Sequence, residues 1–385
     1  MVTSPLIPLG ISLLVALLTS IISRKVRIPL IALEILIGIL LGKSWLGLIP
    51  YEYDPYLEFL SGFGLIYLLF LAGLEMGMKE VRYESVLLAS LSLLAPFTLG
   101  ALLGLLWNIQ PIFLGALLST TSIGVVLPIT KELNLEDDLK KIILESALIV
   151  DAASMFILTI SIESIKGTPV SSIMFSLFLA LSLFILPLIV RIHSIKMVLS
   201  KWLKTESHFK HEVRFCFALM VTLAILFEIL GFHAILGAFL AGLMISEVTE
   251  EGSLLRGKML GLGYGLFIPI FFILAGAATN LPLLIKYENI ALVPMLLLAG
   301  IIGKVMGVNT AGILFKFPFR IALSIGLLHS ARLSLIIAGA KLGLDLGLIV
   351  EEVYSAIVIF ALITVLLPPT IAKILLASRT RKISR

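Results

Sequence analysis

The 385-residue sequence is poor in charge and nearly devoid of cysteine: Asp, Glu, Lys and Arg make up 14% of it, and Cys216 is the single thiol. One cysteine excludes an intramolecular disulfide and any thiolate cluster for a metal. Cys216 lies in the apolar run from Phe215 to Leu230 and reads as a packing residue. Charge this sparse cannot provide the polar surface that a soluble domain needs. Enzyme signatures are missing as well. There is no His-Glu-x-x-His. Gly252-Ser-Leu-Leu-Arg-Gly-Lys258 imitates a phosphate-binding loop, but Met259 stands where a Ser or Thr would hold Mg²⁺, and no strand precedes it. No enzymatic activity, no cofactor and no nucleic-acid partner are expected.

What is present is apolar. Hydrophobic residues make up 59% of the chain, and the mean hydropathy is +1.15. The solvent left for such a chain is lipid, where every backbone N–H and C=O must be satisfied internally by a helix or a closed barrel. Barrel strands alternate apolar and polar residues over about ten positions. Here the apolar runs are continuous and approach the roughly twenty residues of a membrane-spanning helix. The sequence predicts an all-α polytopic membrane protein of about thirteen spans. They run over Leu6–Ile22, Ile28–Leu41, Tyr56–Met76, Ser85–Trp107, Pro111–Thr130, Ile142–Ile165, Val170–Ile192, Val213–Leu230, His233–Ile245, Met259–Ala278, Ile290–Phe315, Phe319–Ala340 and Val353–Leu376. Met1–Pro5 carries no Lys or Arg, so the first span is expected to be retained rather than cleaved as a signal peptide.

The positive-inside rule tests this count independently. With the N-terminus outside, alternate loops and span ends hold 23 Lys and Arg on the cytoplasmic side and 4 on the other; two remain, Lys304 and Arg332, both well inside spans. A missed span would scramble that alternation. The expectation is a multi-pass protein of the cell membrane with its N-terminus outside and its C-terminus cytoplasmic. The basic stretch Arg191 to Arg214 is read as an ordinary cytoplasmic loop in preference to a lipid-binding segment.

Three short segments recur seven spans apart, in the same order. Glu34-Ile-Leu-Ile-Gly-Ile-Leu-Leu-Gly42 matches Ala234-Ile-Leu-Gly-Ala-Phe-Leu-Ala-Gly242. Phe70-Leu-Ala-Gly73 matches Ile273-Leu-Ala-Gly276, and Gly115-Ala-Leu-Leu-Ser-Thr120 matches Gly326-Leu-Leu-His-Ser-Ala331. Seven is odd, so partner spans cross in opposite directions. The chain therefore divides into a first six-span repeat over 1–168, a linker span and basic loop over 169–211, and a second, inverted six-span repeat over 212–385.

Ionisable residues inside spans are costly and are functional candidates by default. Asp151 lies about nine residues from the cytoplasmic end of its span, roughly 14 Å and close to mid-membrane. Lys304 is level with it, and Arg332 is also near mid-depth. Dehydration disfavours an ionised carboxylate, so a proton and a small cation would compete for Asp151. Such competition at one alternating site is sufficient for antiport. Lys304 is expected chiefly to hold helices together. In the fifth span, Ser119-Thr-Thr-Ser122 followed by Gly124 and Pro128 has the composition of an interrupted helix, whose freed carbonyls and hydroxyls suit a hard cation. Leu328-His-Ser-Ala-Arg-Leu-Ser334 is the second candidate break. The candidate set for cation and proton is Asp151, with Na⁺ as its metal ion, together with Ser119, Thr120, Thr121 and Ser154. Lys304, Arg332 and Glu145 are supporting charges. His329 is either a pH-sensing or a packing histidine. Glu34, Glu75, Glu163 and Glu228 lie near span ends and are expected to reach headgroups, and His233 is expected to be structural.

With these residues in view, the chain resembles the cation:proton antiporter superfamily, and in particular its monovalent cation:proton antiporter-2 branch with Kef-type and NapA-type members. The resemblance rests on Gly38-Ile-Leu-Leu-Gly42, Leu69-Phe-Leu-Ala-Gly-Leu-Glu75, Gly115-Ala-Leu-Leu-Ser-Thr-Thr-Ser122, Gly237-Ala-Phe-Leu-Ala-Gly242, Pro269-Ile-Phe-Phe272 and Gly303-Lys304. It implies an NhaA/NapA-like fold of two inverted six-helix repeats with crossed broken helices, a homodimer, and a mobile core carrying the ion by elevator motion. It also implies that Asp151 is the ion-binding aspartate, Thr120 and Thr121 the crossing-point hydroxyls, and Lys304 the basic residue facing the site. Val150 departs from the pattern, since the family usually has Asp, Asn or Gln there. A lone Asp151 argues for electroneutral exchange of Na⁺, or Li⁺, against H⁺. The alternatives are a K⁺/H⁺ antiporter or Kef-type K⁺ efflux module, a passive channel, and a sodium-coupled organic-anion symporter. The chain ends soon after the last span without a nucleotide-binding domain, which weighs against regulated efflux.

Overall fold

A computed structural model describes the whole chain except residues 1–5, 27–29, 50–54, 77–81, 133–134, 166, 170, 172–173, 176–177, 179–181, 184, 205–209, 231–233, 251–252, 287–288 and 384–385. The described residues form helices and no strand. In chain order the helices are α1 (Leu6–Val26), α2 (Leu30–Leu41), α3 (Pro55–Met76), α4 (Tyr83–Leu106), α5 (Pro111–Ser119), α6 (Ile123–Glu132) and α7 (Asp137–Ile165). Then follow α8 (Leu186–Val190), α9 (His193–Lys204), α10 (His211–Ile229), α11 (Ala234–Val248), α12 (Leu254–Leu262) and α13 (Ile268–Ala277). The last are α14 (Leu281–Leu284), α15 (Leu292–Leu297), α16 (Gly303–Leu314), α17 (Phe319–His329), α18 (Ser334–Asp345) and α19 (Glu351–Ile383). π-Helical turns over Gly263–Phe267 and Leu298–Ile302 join α12 to α13 and α15 to α16.

Six helical stretches among the described residues are long and apolar enough to cross a membrane: Pro55–Glu75, Tyr83–Leu106, Asp137–Ile165, Leu254–Ala277, Leu292–Leu314 and Glu351–Leu376. They fall on the predicted third, fourth, sixth, tenth, eleventh and thirteenth spans. The predicted fifth and twelfth spans are each split into two shorter helices, α5 and α6 in one case, α17 and α18 in the other. Nine residues rise only about 14 Å, so α5 alone falls well short of the apolar core. Much of the predicted span Val170–Ile192, and His233, lie outside the described residues.

The chain forms two compact units, each assembled from both sequence halves. One contains Met1–Lys79 and Glu163–Ala277, the other Glu80–Ile162 and Ala278–Arg385. In the first unit, two helix pairs approach closely through glycine. A Cβ on Gly38 of α2 would lie 2.1 Å from the carbonyl oxygen of Ile273, and one on Gly276 of α13 would lie 2.2 Å from that of Ile35. The α3–α11 pair does the same: Gly242 against the Phe70 oxygen at 2.0 Å and Gly73 against the Phe239 oxygen at 2.1 Å. Only glycine lets two backbones meet like this. The two contact sets equate Gly38 with Gly242, one helical turn away from the equation of Gly42 with Gly242 made by aligning the two segments.

In the second unit, α4, α16 and α17 enclose a core of Leu88, Val126, Ile143, Ala147, Val308 and Ile325. Glycine again sets the spacing, with Gly307 against the Leu91 backbone and Gly303 against Pro96. Helix α5 begins with Pro111 at its first position, and Gln110 caps it by accepting from the Phe113 N–H. Pro needs no helical partner there. Gln110 also accepts from Ser161 Oγ at 2.8 Å, tying the start of α5 to the far end of α7.

Candidate functional site

Asp151 is the central residue of α7, with fourteen residues on either side. It is 7% exposed, and its Oδ1 is buried with no hydrogen-bond partner. Among the described residues no ion pair reaches it. Its surroundings are set by the two helix breaks. Helix α5 stops at Ser119 because Thr120 turns extended (φ −55°, ψ 157°), and helix resumes only at Ile123. The other break follows His329 at the end of α17. The two breaks bond each other: Ser122 N–H donates to the Ala331 oxygen at 2.8 Å, and Thr121 Oγ1 donates to the His329 oxygen at 3.0 Å.

A helix that stops inside a protein leaves carbonyls at its C-terminus without partners, and their dipoles attract positive charge. Lys304 and Arg332, both fully buried, satisfy them here. Lys304 Nζ donates to the Ser119 oxygen at 2.6 Å. Arg332 donates to the Leu118 oxygen from Nε at 3.1 Å and from Nη2 at 2.7 Å, and its Nη1 donates to the Ser330 oxygen at 2.9 Å. Its Nη2 also reaches the Gly300 oxygen at 2.9 Å. That carbonyl belongs to the π-turn Leu298–Ile302, whose irregular ladder leaves carbonyls for outside donors. The guanidinium carbon lies 5.3 Å from the centre of the Phe360 ring. A Cβ on Gly300 would sit 2.5 Å from that ring, so position 300 has no room for a side chain. Sequence reasoning missed Gly300 and Phe360, whose roles depend on a π-turn that composition does not signal.

The hydroxyls near Asp151 have a shared orientation. Ser119 Oγ donates to the Ala116 oxygen at 2.8 Å, Thr120 Oγ1 to the Leu117 oxygen at 2.9 Å, and Ser154 Oγ to the Val150 oxygen at 2.7 Å. Ser119 Oγ and Ser154 Oγ also lie 3.3 Å apart, and either can donate to the other. Hydroxyl oxygens of this kind are ligands that suit a hard cation. Ser154 is three residues after Asp151 on the same helix.

Glu145 lies elsewhere in this unit. Its Oε2 accepts from Ser85 Oγ at 2.7 Å and from the Arg82 N–H at 3.4 Å, which places a carboxylate at the N-terminus of α4, where the helix dipole favours it. Arg82 itself donates to Asp138 at 2.8 Å on the exposed surface. His329 is fully buried. Its Nε2 lies 3.3 Å from both the Ile143 oxygen and Ser146 Oγ of α7, and its Nδ1 has no partner.

The chain is similar to known proteins over nearly its whole length. Residues 11–378 match the family described as sodium/hydrogen exchanger, transmembrane. A protein of Methanocaldococcus jannaschii named as a probable Na⁺/H⁺ antiporter 3 is 31% identical over 374 residues, covering 93% of each chain. A Na⁺/H⁺ antiporter of Enterococcus hirae is 28% identical, over 95% of this chain and 97% of its own. Among solved structures, the sodium proton antiporter MjNhaP1 of Methanocaldococcus jannaschii at pH 8 has the same fold, with a TM-score of 0.77 over 96% of this chain and 97% of its own at 18% identity. The chain belongs to the sodium/hydrogen exchanger family of membrane transporters.

Proposed function

We propose that this protein exchanges Na⁺, or Li⁺, for H⁺ across the cell membrane, one for one, with Asp151 binding cation and proton in turn. The observation that carries the reading is the Asp151 carboxyl, buried at the middle of α7 with an oxygen, Oδ1, that makes no hydrogen bond among the described residues. An ionised carboxylate cannot remain alone in such a place. Either ligand neutralises it, so each displaces the other. The relatives named as Na⁺/H⁺ antiporters support Na⁺ as the cation.

The chemistry is a competition at one group. In the loaded state Asp151 supplies the charge, and Ser154 with Ser119 or Thr120 supplies neutral oxygens. A proton on Asp151 removes the negative charge, and the cation leaves. Val150, fully buried, precedes Asp151, so no second acid adjoins it in sequence. Neutral complexes in both directions make the exchange electroneutral. Lys304 and Arg332 keep the broken helices in register through their carbonyls, in a positioning role. The remaining parts of the proposal are thirteen crossings in two inverted repeats, an outside N-terminus, a homodimer, and elevator motion of the unit that carries Asp151.

The test is exchange in proteoliposomes under an imposed pH gradient, with a pH-sensitive dye reporting proton movement on addition of Na⁺, Li⁺ or K⁺. Wild type should respond to Na⁺ and Li⁺, and Asp151→Asn should not. Undiminished exchange by the variant would refute the role of Asp151. A rate that changes with imposed membrane potential would refute one-for-one stoichiometry.

A further inference from the structure

Glu34 was expected near a span end, within reach of lipid headgroups. The structure buries it instead. It is the fifth residue of α2, it is 1% exposed, and its Oε1 has no hydrogen-bond partner. Around it on α2, Ile35, Gly38 and Ile39 are buried too. Gly38 and Gly276 bring α2 and α13 into backbone contact, so α2 has no freedom to roll this side chain outward.

The elements packed against α2 offer no compensation: α13 carries no ionisable residue, and among the described residues no ion pair is formed by Glu34. Tyr264, on the π-turn Gly263–Phe267, is within electrostatic range of Glu34 and of Glu75 on α3. A bare carboxylate here is strongly disfavoured, whereas a neutral acid costs far less. The helix that α2 packs against, α13, is entered through the π-turn Gly263–Phe267, the kind of irregular helix that recurs at functional positions.

We propose that Glu34 is a second proton-binding site, separate from Asp151 and carried by the other unit, which holds its proton while α2 is seated on α13. Its proton is not the one traded for the cation. Release requires water to reach the carboxyl, and the π-turn bearing Tyr264 is the adjacent irregular element able to admit it. Proton occupancy of Glu34 therefore links the packing of this unit to pH.

The test uses Glu34→Gln, which matches the protonated acid in shape, in the full chain. Melting of purified protein in detergent is read from pH 5 to pH 9. A group that binds its proton more tightly in the folded state loses stability as pH rises above the ordinary carboxylate range. Wild type and Glu34→Gln should therefore melt together at pH 5, and wild type should fall progressively behind as pH rises. Parallel curves across the range would overturn the proposal. In proteoliposomes Glu34→Gln should keep its maximal rate within about twofold while the midpoint of its pH–rate profile moves by about one unit or more. A profile superimposed on wild type would also overturn it. The transport arm rests on the exchange reading above and the melting arm does not, so a wild type that fails to exchange leaves the second proton site to be decided by melting.

Discussion

Arg332 joins three backbone segments and one aromatic ring through one side chain. Its guanidinium satisfies the ends of α5 and α17 and the π-turn before α16, and it stacks on Phe360 of α19. Arg332→Met keeps most of the volume and strips every donor, leaving carbonyls buried and unpaired. The expected loss is about 3–5 kcal/mol, the cost of removing one partner from a buried charged network, seen as a large fall in melting temperature. Arg332→Lys should recover only part of it, because an ammonium cannot fork toward carbonyls on different segments. Equal melting of Arg332→Met and wild type would show that these bonds are not what holds the break. Arg332 and Asp151 were both legible in the sequence as charges stranded in apolar runs. Their division of labour was not, since a charge in a span says nothing of whether it meets a carbonyl or stands open to a ligand. Glu34 shows the reverse error: its position near the start of a span implied exposure, and neighbouring helices closed over it.

At the scale of helices, glycine decides which surfaces meet. Gly38→Val would place a side chain where the Ile273 backbone already lies. Overpacking of this kind costs about 1–3 kcal/mol, and more where backbone cannot yield. Gly62→Ala on α3 is the matched control, because nothing lies within 4 Å of the added Cβ. There the substitution should be neutral or stabilising by up to about 1 kcal/mol, the helix preference of Ala over Gly. Thermal melting of the two variants beside wild type checks the pair, and similar losses from both would mean that helix propensity, not contact, sets the effect. The recurrence of short glycine-bearing segments singled out these helices as repeat partners. It did not identify partners, nor the one-turn offset that equates Gly38 with Gly242. Shared letters were aligned, while the contacts follow backbone geometry.

For the whole molecule, the asymmetric placement of Lys and Arg makes a prediction that needs no activity. Cys216 is fully buried, so a cysteine introduced on the surface becomes the reactive one. Gly47→Cys, in the exposed turn after α2, should react in intact cells with a membrane-impermeant maleimide. Lys196→Cys, exposed on α9, should react only once the membrane is opened. The opposite pattern would invert the orientation read from the loops. The two compact units interleave the sequence halves, which no reading of consecutive spans reveals, because compactness depends on which helices touch and not on their order.

Lipid imposes a local rule: each backbone group bonds within its own helix, a few residues away. Whatever follows from that rule was determined by the sequence alone, including the helical class, six of the long apolar spans, the two interrupted ones and the charges stranded within them. The tertiary structure decided what lies beyond local range. Arg332 reaches Leu118 across 214 residues, and Thr121 reaches His329 across 208. Those bonds exist because two helices stop midway and their unpaired ends meet, while among the described residues no donor reaches Asp151 Oδ1. Chain periodicity encodes where a helix breaks; only packing determines which donors close the break and which acceptor stays open.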